Sequence, residues 1–168
     1  MKIGIIGSGR VGYSMGKYMQ DHGIRVTGFY DRHRERALDA AQFTGTDSFD
    51  RIEDLVAASD TLFLTTSDGE IANVWDCIRH LSIQGKIICH FSGSLSSDQF
   101  QGIEKTRAYG LSIHPMLAFS DKYTSYKQLQ NAFFTLEGHA QALAVMEPLL
   151  QKMGNPVQRI APEQKALY

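Results

Sequence analysis

The first twelve residues constrain the fold of this chain more than any other stretch. Three isoleucines within residues 1–6 predict a short buried strand, and Gly-Ser-Gly-Arg-Val-Gly follows directly at residues 7–12. Apolar side chains then recur three to four positions apart, at Met15, Tyr18 and Met19, which predicts an amphipathic helix. A glycine-rich turn between a strand and a helix is typical of the site where an α/β fold binds the phosphates of a dinucleotide.

Each glycine of this turn has a separate physical task. Gly7 permits the tight turn after the strand, Gly9 lets the backbone approach a pyrophosphate, and Gly12 lets the helix lie against the strand. The free N–H groups and the positive dipole end of the helix then face the anion. The alternative interpretation is a glycine-rich connection that binds no ligand.

Length and charge exclude several classes of protein. A chain of 168 residues with 43% hydrophobic residues is long enough for one domain with a real core. The formal net charge of −1 gives no reason to expect nucleic acid or an anionic membrane as a partner. The first apolar run is too short for a signal peptide, and no run approaches the ~18 residues of a membrane span. Two isolated cysteines and widely spaced histidines predict neither a metal site nor a disulfide framework, which fits a cytoplasmic protein.

An acidic residue lies at the distance from the glycines where a dinucleotide fold binds the adenosine ribose. Asp31 ends a predicted strand over 25–30 and stands 19 positions after Gly12. A carboxylate there repels the extra phosphate of NADP and therefore favours NAD. The arginines that follow, Arg32, Arg34 and Arg36, are residues that clamp such a phosphate, so NADP stays open.

Strands and helices alternate along the rest of the chain. Further strands are predicted over 46–49, 61–65, 86–91, 107–113, 131–136 and 157–160. Helices are predicted over 32–42, from an Asp50 cap through Val56, over 70–81 and over 139–153, and residues 118–130 are predicted to lie over the cleft. This alternation predicts an α/β fold with a doubly wound, mainly parallel sheet covered by helices on both faces.

Polar residues follow three of the predicted strands at the edge where such sheets bind ligands. Thr66 and Ser67 follow the strand 61–65 and are predicted to meet the nicotinamide half, although Ser67 or Asp68 equally suits a helix cap. Ser92 and Ser94 follow the strand 86–91, and their hydroxyls can hold a substrate carboxylate or carbonyl.

His114 comes at the end of the strand 107–113, and Pro115 forces it into extended geometry. An imidazole at this edge is suited to take the proton released when a hydride leaves a carbinol. The alternative is a histidine bonded to local backbone. His90 lies inside an apolar strand, where a structural role is expected.

Several segments, in this order, resemble a known group of enzymes: IGIIGSGRVGYSMGKYM, TTSDGEI, HFSGSLSS, LSIHPM and KALY. The group comprises the Rossmann-like oxidoreductases with a 6-phosphogluconate-dehydrogenase-like C-terminal domain, near pyrroline-5-carboxylate reductase and the deazaflavin-dependent NADP oxidoreductases. The resemblance implies NAD(P) as cofactor, with Asp31 and Arg32 at the adenosine ribose and Thr66 and Ser67 near the nicotinamide. The loop residues that it places on the cofactor are Gly7, Ser8, Gly9, Arg10, Val11 and Gly12.

Prephenate and arogenate dehydrogenases are a second group that the sequence resembles. They place a serine after the fifth strand and a His-Pro-Met near the sixth, where the histidine hydrogen-bonds the hydroxyl being oxidised. His114 matches that histidine, and Ser92 or Ser94 matches the serine. Leu117-Ala118-Phe119 departs from the small residues that those enzymes have after this motif, which argues against a cyclohexadienyl substrate.

The resemblance also implies a division of the chain. Residues 1–160 are expected to form the NAD(P)-binding domain, and residues 161–168 to begin a helical domain that completes the site and forms a homodimer. The predicted function is hydride transfer between nicotinamide and a small carbonyl, imine or hydroxyl substrate, with His114 as acid–base and Ser92 and Ser94 as substrate ligands. The alternatives are a catalytically silent NAD(P)-binding module and a site for FAD or another adenine nucleotide.

Overall fold

Short apolar runs form the strands of an eight-stranded sheet in the computed structural model, which describes residues 1–167. The strands are β1 (Ile3–Ile6), β2 (Val26–Tyr30), β3 (Asp47–Ser48), β4 (Thr61–Leu64), β5 (Ile87–His90), β6 (Tyr109–Pro115), β7 (Phe134–Gly138) and β8 (Val157–Arg159). They lie in the order β3-β2-β1-β4-β5-β6-β7-β8, and β1 to β6 are parallel. The chain therefore reverses its direction of strand addition between β1 and β4, where ligands of such sheets bind.

Helices cover both faces of this sheet, as the alternating pattern predicts. They are α1 (Arg10–Asp21), α2 (Arg34–Thr44), α3 (Ile52–Ala58), α4 (Asp68–Ile78) and α5 (Ala140–Lys152). Met15 of α1 and Met146 of α5 are fully buried on one face, and Leu55 of α3 and Trp75 of α4 are buried on the other. Each such side chain stabilises the fold by about 1.5–3 kcal/mol. No helix within residues 1–167 is long and apolar enough to cross a membrane.

Two local predictions about helix ends were wrong. Asp50 does not cap α3: Arg51 is the N-cap residue, and the Asp50 carboxylate instead pairs with Arg34 Nε at 2.9 Å. The helix predicted over 70–81 begins earlier, at Asp68, and ends at Ile78. Both errors have one cause. The sequence does not show whether an acidic residue near the start of a helix is the N-cap, forms an ion pair or belongs to the first turn.

The strand β7 is antiparallel to β6, whereas all the other paired strands within residues 1–167 are parallel. The connection between them carries no crossover helix, so β7 starts at the edge of the sheet where β6 ends. This connection does not lie over the cleft, contrary to the prediction for residues 118–130. The 3₁₀ helix Ser125–Asn131 packs against α1, and the Tyr123 ring meets the Tyr13 ring edge-on at 5.6 Å.

His114 is the next-to-last residue of β6, which begins and ends two residues later than the predicted strand 107–113, and it has the extended geometry that Pro115 predicts. Proline removes a backbone N–H, which a central strand normally needs. Here β5 ends at His90, whose partner on β6 is Ser112, so β6 continues beyond the point where β5 pairs with it. No residue of β5 lies opposite Pro115, so the missing N–H of the proline costs no hydrogen bond with β5.

Polar and apolar side chains alternate along β6 and β7, so that one face of this strand pair is polar. The cross-strand pairs on that face are Ser112 with Glu137 and His114 with Thr135. Ser112, Thr135 and Glu137 are each at most 4% exposed. We call these four residues the polar face; the opposite side of the same strands belongs to the apolar core. Buried polar side chains are uncommon in a core, which makes this face a candidate site.

Candidate active site

The loop between β1 and α1 has the geometry that its three glycines predict. Gly7 has a φ of +104°, which favours glycine. A Cβ on Gly12 would lie 2.5 Å from the Gly7 carbonyl oxygen and 2.7 Å from Thr65 Oγ1, so the helix packs directly on the turn. A Cβ on Gly9 would meet only Thr65 O, at 4.0 Å. The glycine at position 9 is therefore not required by contacts within the fold.

Asp31 ties the end of β2 to this loop. Its Oδ2 accepts a hydrogen bond from Ser8 N at 2.8 Å, and its Oδ1 accepts one from His33 N at 2.8 Å. Both carboxylate oxygens therefore already accept hydrogen bonds from backbone N–H groups. The sequence spacing gave no sign of these two contacts.

A cavity of about 420 Å³ opens beside the loop, within the ~300–1,000 Å³ range of ligand sites. Among the residues that line it are Gly7, Ser8, Gly9, Asp31, Arg32, Arg36, Thr66 and Ser67. Arg34 instead pairs with Asp50, which leaves Arg32 and Arg36 as the arginines beside Asp31 at the cavity. Arg10 and Val11 belong to the first turn of α1 and do not line it.

Two buried hydroxyls at this cavity fit an anionic ligand. Ser8 Oγ and Thr66 Oγ1 are inaccessible to solvent, and neither has a hydrogen-bond partner in the described chain. Buried hydroxyls normally have partners because an unsatisfied one is costly. The N-terminus of α1 adds its free N–H groups and its partial positive charge at the same place. The residues present therefore suit the phosphates of a dinucleotide.

The loop after β5 is held by its own serine. Ser92 Oγ donates to Asp68 Oδ2 at 2.8 Å and accepts from Ser94 N at 3.2 Å and Leu95 N at 3.0 Å. This hydroxyl is buried and fully engaged in fixing the loop. Ser94 is exposed, and its Oγ lies 3.5 Å from Asp68 Oδ2, at the limit of a hydrogen bond.

The half-buried His114 imidazole lies against this loop. A Cβ on Gly93 would lie 2.8 Å from His114 Nε2, so only glycine lets the loop approach the ring this closely. Nδ1 is inaccessible and has no partner within residues 1–167. Burial lowers the pKa of His114, and the Lys165 ammonium lowers it further, while the Asp68 carboxylate opposes both.

Lys165 is the member of this site that the sequence did not predict. It lies in the 3₁₀ helix Pro162–Leu167, is 2% exposed, and donates from Nζ to Ser92 O at 2.8 Å. Burial lowers the pKa of this ammonium, and the carboxylates of Glu137 and Asp68 oppose the shift. A fully buried lysine is rare unless it is paired or functional. Lys165 is the first residue of the motif KALY, and Tyr168, its last residue, lies outside the described residues.

Glu137 and His90 complete the surroundings. Glu137 accepts hydrogen bonds from Ser97 N and Ser97 Oγ, both at 2.7 Å. His90 is fully buried: its Nε2 lies 2.9 Å from Ser96 O, and its Nδ1 accepts from Ser92 N. Burial lowers the pKa of His90 to about 4, so it is neutral at physiological pH. Its role is structural, in agreement with the expectation from sequence.

Sequence comparison agrees with this geometry. Residues 1–83 match the model of a family described as the oxidoreductase family with an NAD-binding Rossmann fold. These residues are similar to that family in sequence, and the chain has a Rossmann fold. A comparison with the curated proteins finds no match.

Solved structures share this Rossmann fold across nearly the whole chain. A proposed NADP oxidoreductase from Bacteroides fragilis is similar with a TM-score of 0.86 and 18% identity, over 99% of this chain and 62% of that one. Synechocystis arogenate dehydrogenase gives 0.82 and 18% identity, over 98% and 61%. An imine reductase from a Pseudomonas species gives 0.76 and 18% identity, over 98% and 57%. At these identities the likeness concerns the fold, and the chain spans about three fifths of the length of these proteins.

Proposed function

We propose that this chain is the cofactor-binding domain of an NAD(P)-dependent oxidoreductase that acts on a small carbonyl, imine or hydroxyl substrate. One observation carries the proposal. The carboxyl ends of neighbouring strands combine a cavity suited to a dinucleotide with a second group of residues, in which the buried Lys165 ammonium and the half-buried His114 imidazole both lie against the loop after β5. Dinucleotide binding alone does not require a buried ammonium and an imidazole at this edge of the sheet.

The chain supplies separate groups for each part of the cofactor. Ser8, Gly9 and the N-terminus of α1 would hold the pyrophosphate, and Asp31 with Arg32 would hold the adenosine ribose. Thr66 and Ser67 would contact the nicotinamide half. Bound NAD(P) supplies the hydride or accepts it. Asp31 favours NAD, and Arg32 and Arg36 keep NADP open; a fluorescence titration with NADH and NADPH decides between them.

The proton that accompanies the hydride needs an acid–base group, and His114 is positioned for that role. Its lowered pKa keeps the imidazole neutral near pH 7, ready to accept a proton from a hydroxyl substrate. Lys165 uses one N–H on Ser92 O, which leaves its other donors to stabilise negative charge on a substrate oxygen. Ser94 would help to position the substrate, and Ser92 would do so through the loop that it fixes.

Partners and location follow from the same proposal. The substrate is a small molecule, and neither nucleic acid nor a membrane surface is a partner, in keeping with the net charge of −1. We place the protein in the cytoplasm. Residues 1–160 would form the Rossmann domain and residues 161–168 would begin a helical domain that completes the cleft and forms a homodimer. The longer chains of the similar structures support this division.

Turnover of variants tests the catalytic assignment. With NADH or NADPH and a panel of imines, ketones and hydroxy acids, His114→Asn should lower turnover by about 10²–10⁴ and leave cofactor affinity unchanged. His80→Asn is the matched control, because His80 is exposed and makes none of the contacts described at the site. Equal turnover in His114→Asn and His80→Asn would remove the histidine from the mechanism. Cofactor binding without turnover in the wild-type chain and in a longer native protein would support the binding-module alternative.

A further inference from the structure

The two nitrogens of the His114 imidazole have different surroundings. The Nε2 edge faces Gly93, in the loop that also carries Ser92 and Ser94. Nδ1 is inaccessible to solvent and has no hydrogen-bond partner in the described part of the chain. In an acid–base histidine, the hydrogen bond at one nitrogen fixes the tautomer and therefore the chemistry at the other. A group that hydrogen-bonds to Nδ1 would therefore determine whether Nε2 carries a proton.

Thr135 lies directly opposite His114 on the neighbouring strand. Met116 N donates to Phe133 O at 2.8 Å and His139 N donates to Gly110 O at 3.0 Å. These bonds fix the register, and side chains of directly paired residues share a face with Cβ atoms about 5 Å apart. The Thr135 side chain is 2% exposed, and its Oγ1 is also buried without a partner.

The other polar groups near this pair have their own partners. Glu137 is engaged by both the backbone and the hydroxyl of Ser97, and Lys165 donates to Ser92 O. Asp68 and Lys165 are the charged groups that act on the His114 ring. Thr135 Oγ1 and His114 Nδ1 are not hydrogen-bonded to each other as the two side chains stand. They are nevertheless unpartnered polar atoms on directly paired residues, and a small side-chain rotation or one bridging water molecule would join them.

We propose that Thr135 is a positioning residue that accepts a hydrogen bond from His114 Nδ1–H and thereby presents Nε2 to the substrate. An accepting hydroxyl suits both states of the ring, because Nδ1 keeps its proton whether Nε2 is protonated or not. If the hydroxyl instead donated to an unprotonated Nδ1, that hydrogen bond would be lost each time the ring became an imidazolium, because Nδ1 would then carry a proton. This inference rests on the proposed acid–base role of His114 for its functional meaning, but the hydrogen bond itself can be measured without turnover.

Imidazole NMR of the ¹⁵N-labelled chain tests the proposal, with His114→Asn identifying the resonance. In the wild type and in Thr135→Ser, neutral His114 should be mainly the Nδ1–H tautomer. Thr135→Val keeps the shape but removes the hydroxyl, so the tautomer ratio should shift about tenfold towards Nε2–H. The pKa of His114 should fall by about one unit, since the imidazolium loses its acceptor. The thermal midpoint of Thr135→Val should fall, because His114 Nδ1 loses its partner, so the tautomer ratio and not the midpoint identifies the contact.

A Thr135→Val chain with the wild-type tautomer ratio and an unchanged His114 pKa would overturn the proposal. So would a Thr135→Ser chain that behaves like Thr135→Val, because the hydroxyl would then be irrelevant. A purely structural threonine would move the thermal midpoint and leave the tautomer alone. If the NMR results hold while His114→Asn turns over normally, the proposed function loses its acid–base residue and the Thr135 contact stands.

Discussion

Replacing two glycines of the first loop, one at a time, separates the part of the motif that builds the fold from the part that binds a ligand. In Gly12→Ala the new Cβ would lie 2.5 Å from the Gly7 carbonyl oxygen, where ordinary contact begins near 3.4 Å. Backbone must therefore move by about 0.9 Å. Overpacking of this kind costs about 1–3 kcal/mol, which lowers the thermal midpoint of a chain of this length by about 3–10 °C.

Gly9→Ala should behave in the opposite way. Its Cβ meets only Thr65 O at 4.0 Å, and the Gly9 φ of −86° is open to alanine. The free energy of unfolding should change by less than about 1 kcal/mol, because two effects offset each other. Alanine restricts the unfolded chain, which stabilises the fold, but it is a poorer N-cap residue than glycine, which destabilises it. A bound pyrophosphate would approach the loop where this methyl group stands, so affinity for NADH and NADPH should fall at least about tenfold.

Two measurements on both variants check this pair of expectations. Thermal unfolding by circular dichroism reports the fold, and fluorescence titration with NADH and NADPH reports binding. Gly12→Ala should lose stability, whereas Gly9→Ala should keep it and lose affinity. Wild-type affinity in Gly9→Ala, or wild-type stability in Gly12→Ala, would refute the assignment of tasks to the glycines.

Two further variants test the surroundings of the candidate active site. Gly93→Ala should push the His114 ring aside, which costs about 1–3 kcal/mol of stability and shifts the imidazole resonances of His114. The control Gly69→Ala, in the open first turn of α4, should stabilise the chain slightly. Equal thermal midpoints for the two variants and unmoved His114 resonances would contradict the contact between Gly93 and His114. The folded pKa of His90 is about 4 against an ordinary 6.5, so the unfolded chain binds the extra proton and stability is lost as pH falls from about 6.5 towards 4. Urea unfolding should show about 2 kcal/mol less stability from this residue at pH 5 than at pH 8, and His90→Gln should flatten that slope while His80→Gln should not.

The first loop could be predicted from sequence because its requirements are local. A positive φ at Gly7 and the close approach at Gly12 depend on a few neighbouring residues, and Asp31 follows at a spacing that the strand–helix–strand unit fixes. The alternation of strands and helices along the chain predicted the mainly parallel sheet. The two hydrogen bonds of Asp31 did not, because they depend on how far β2 runs before the chain turns.

The polar face was beyond sequence reasoning for a physical reason. Thr135 and Glu137 reach His114 and Ser112 only because β7 turns antiparallel after a connection that packs on α1. Lys165 meets Ser92 across 73 positions of sequence. The alternating patterns Leu-Ser-Ile-His over 111–114 and Phe-Thr-Leu-Glu over 134–137 were the available signal, since each predicts a strand with one polar side.

Dinucleotide binding is tested most directly by a titration of the ¹⁵N-labelled chain with NADH and NADPH, followed by amide NMR. We expect saturable shifts at residues 7–12, 31–33 and 65–67, where the loop, Asp31 and the cavity wall meet. Residues 102–106, at the opposite edge of the sheet, should stay unmoved. Absence of saturable shifts at the glycine loop up to millimolar cofactor would contradict the proposal that this chain binds a nicotinamide dinucleotide.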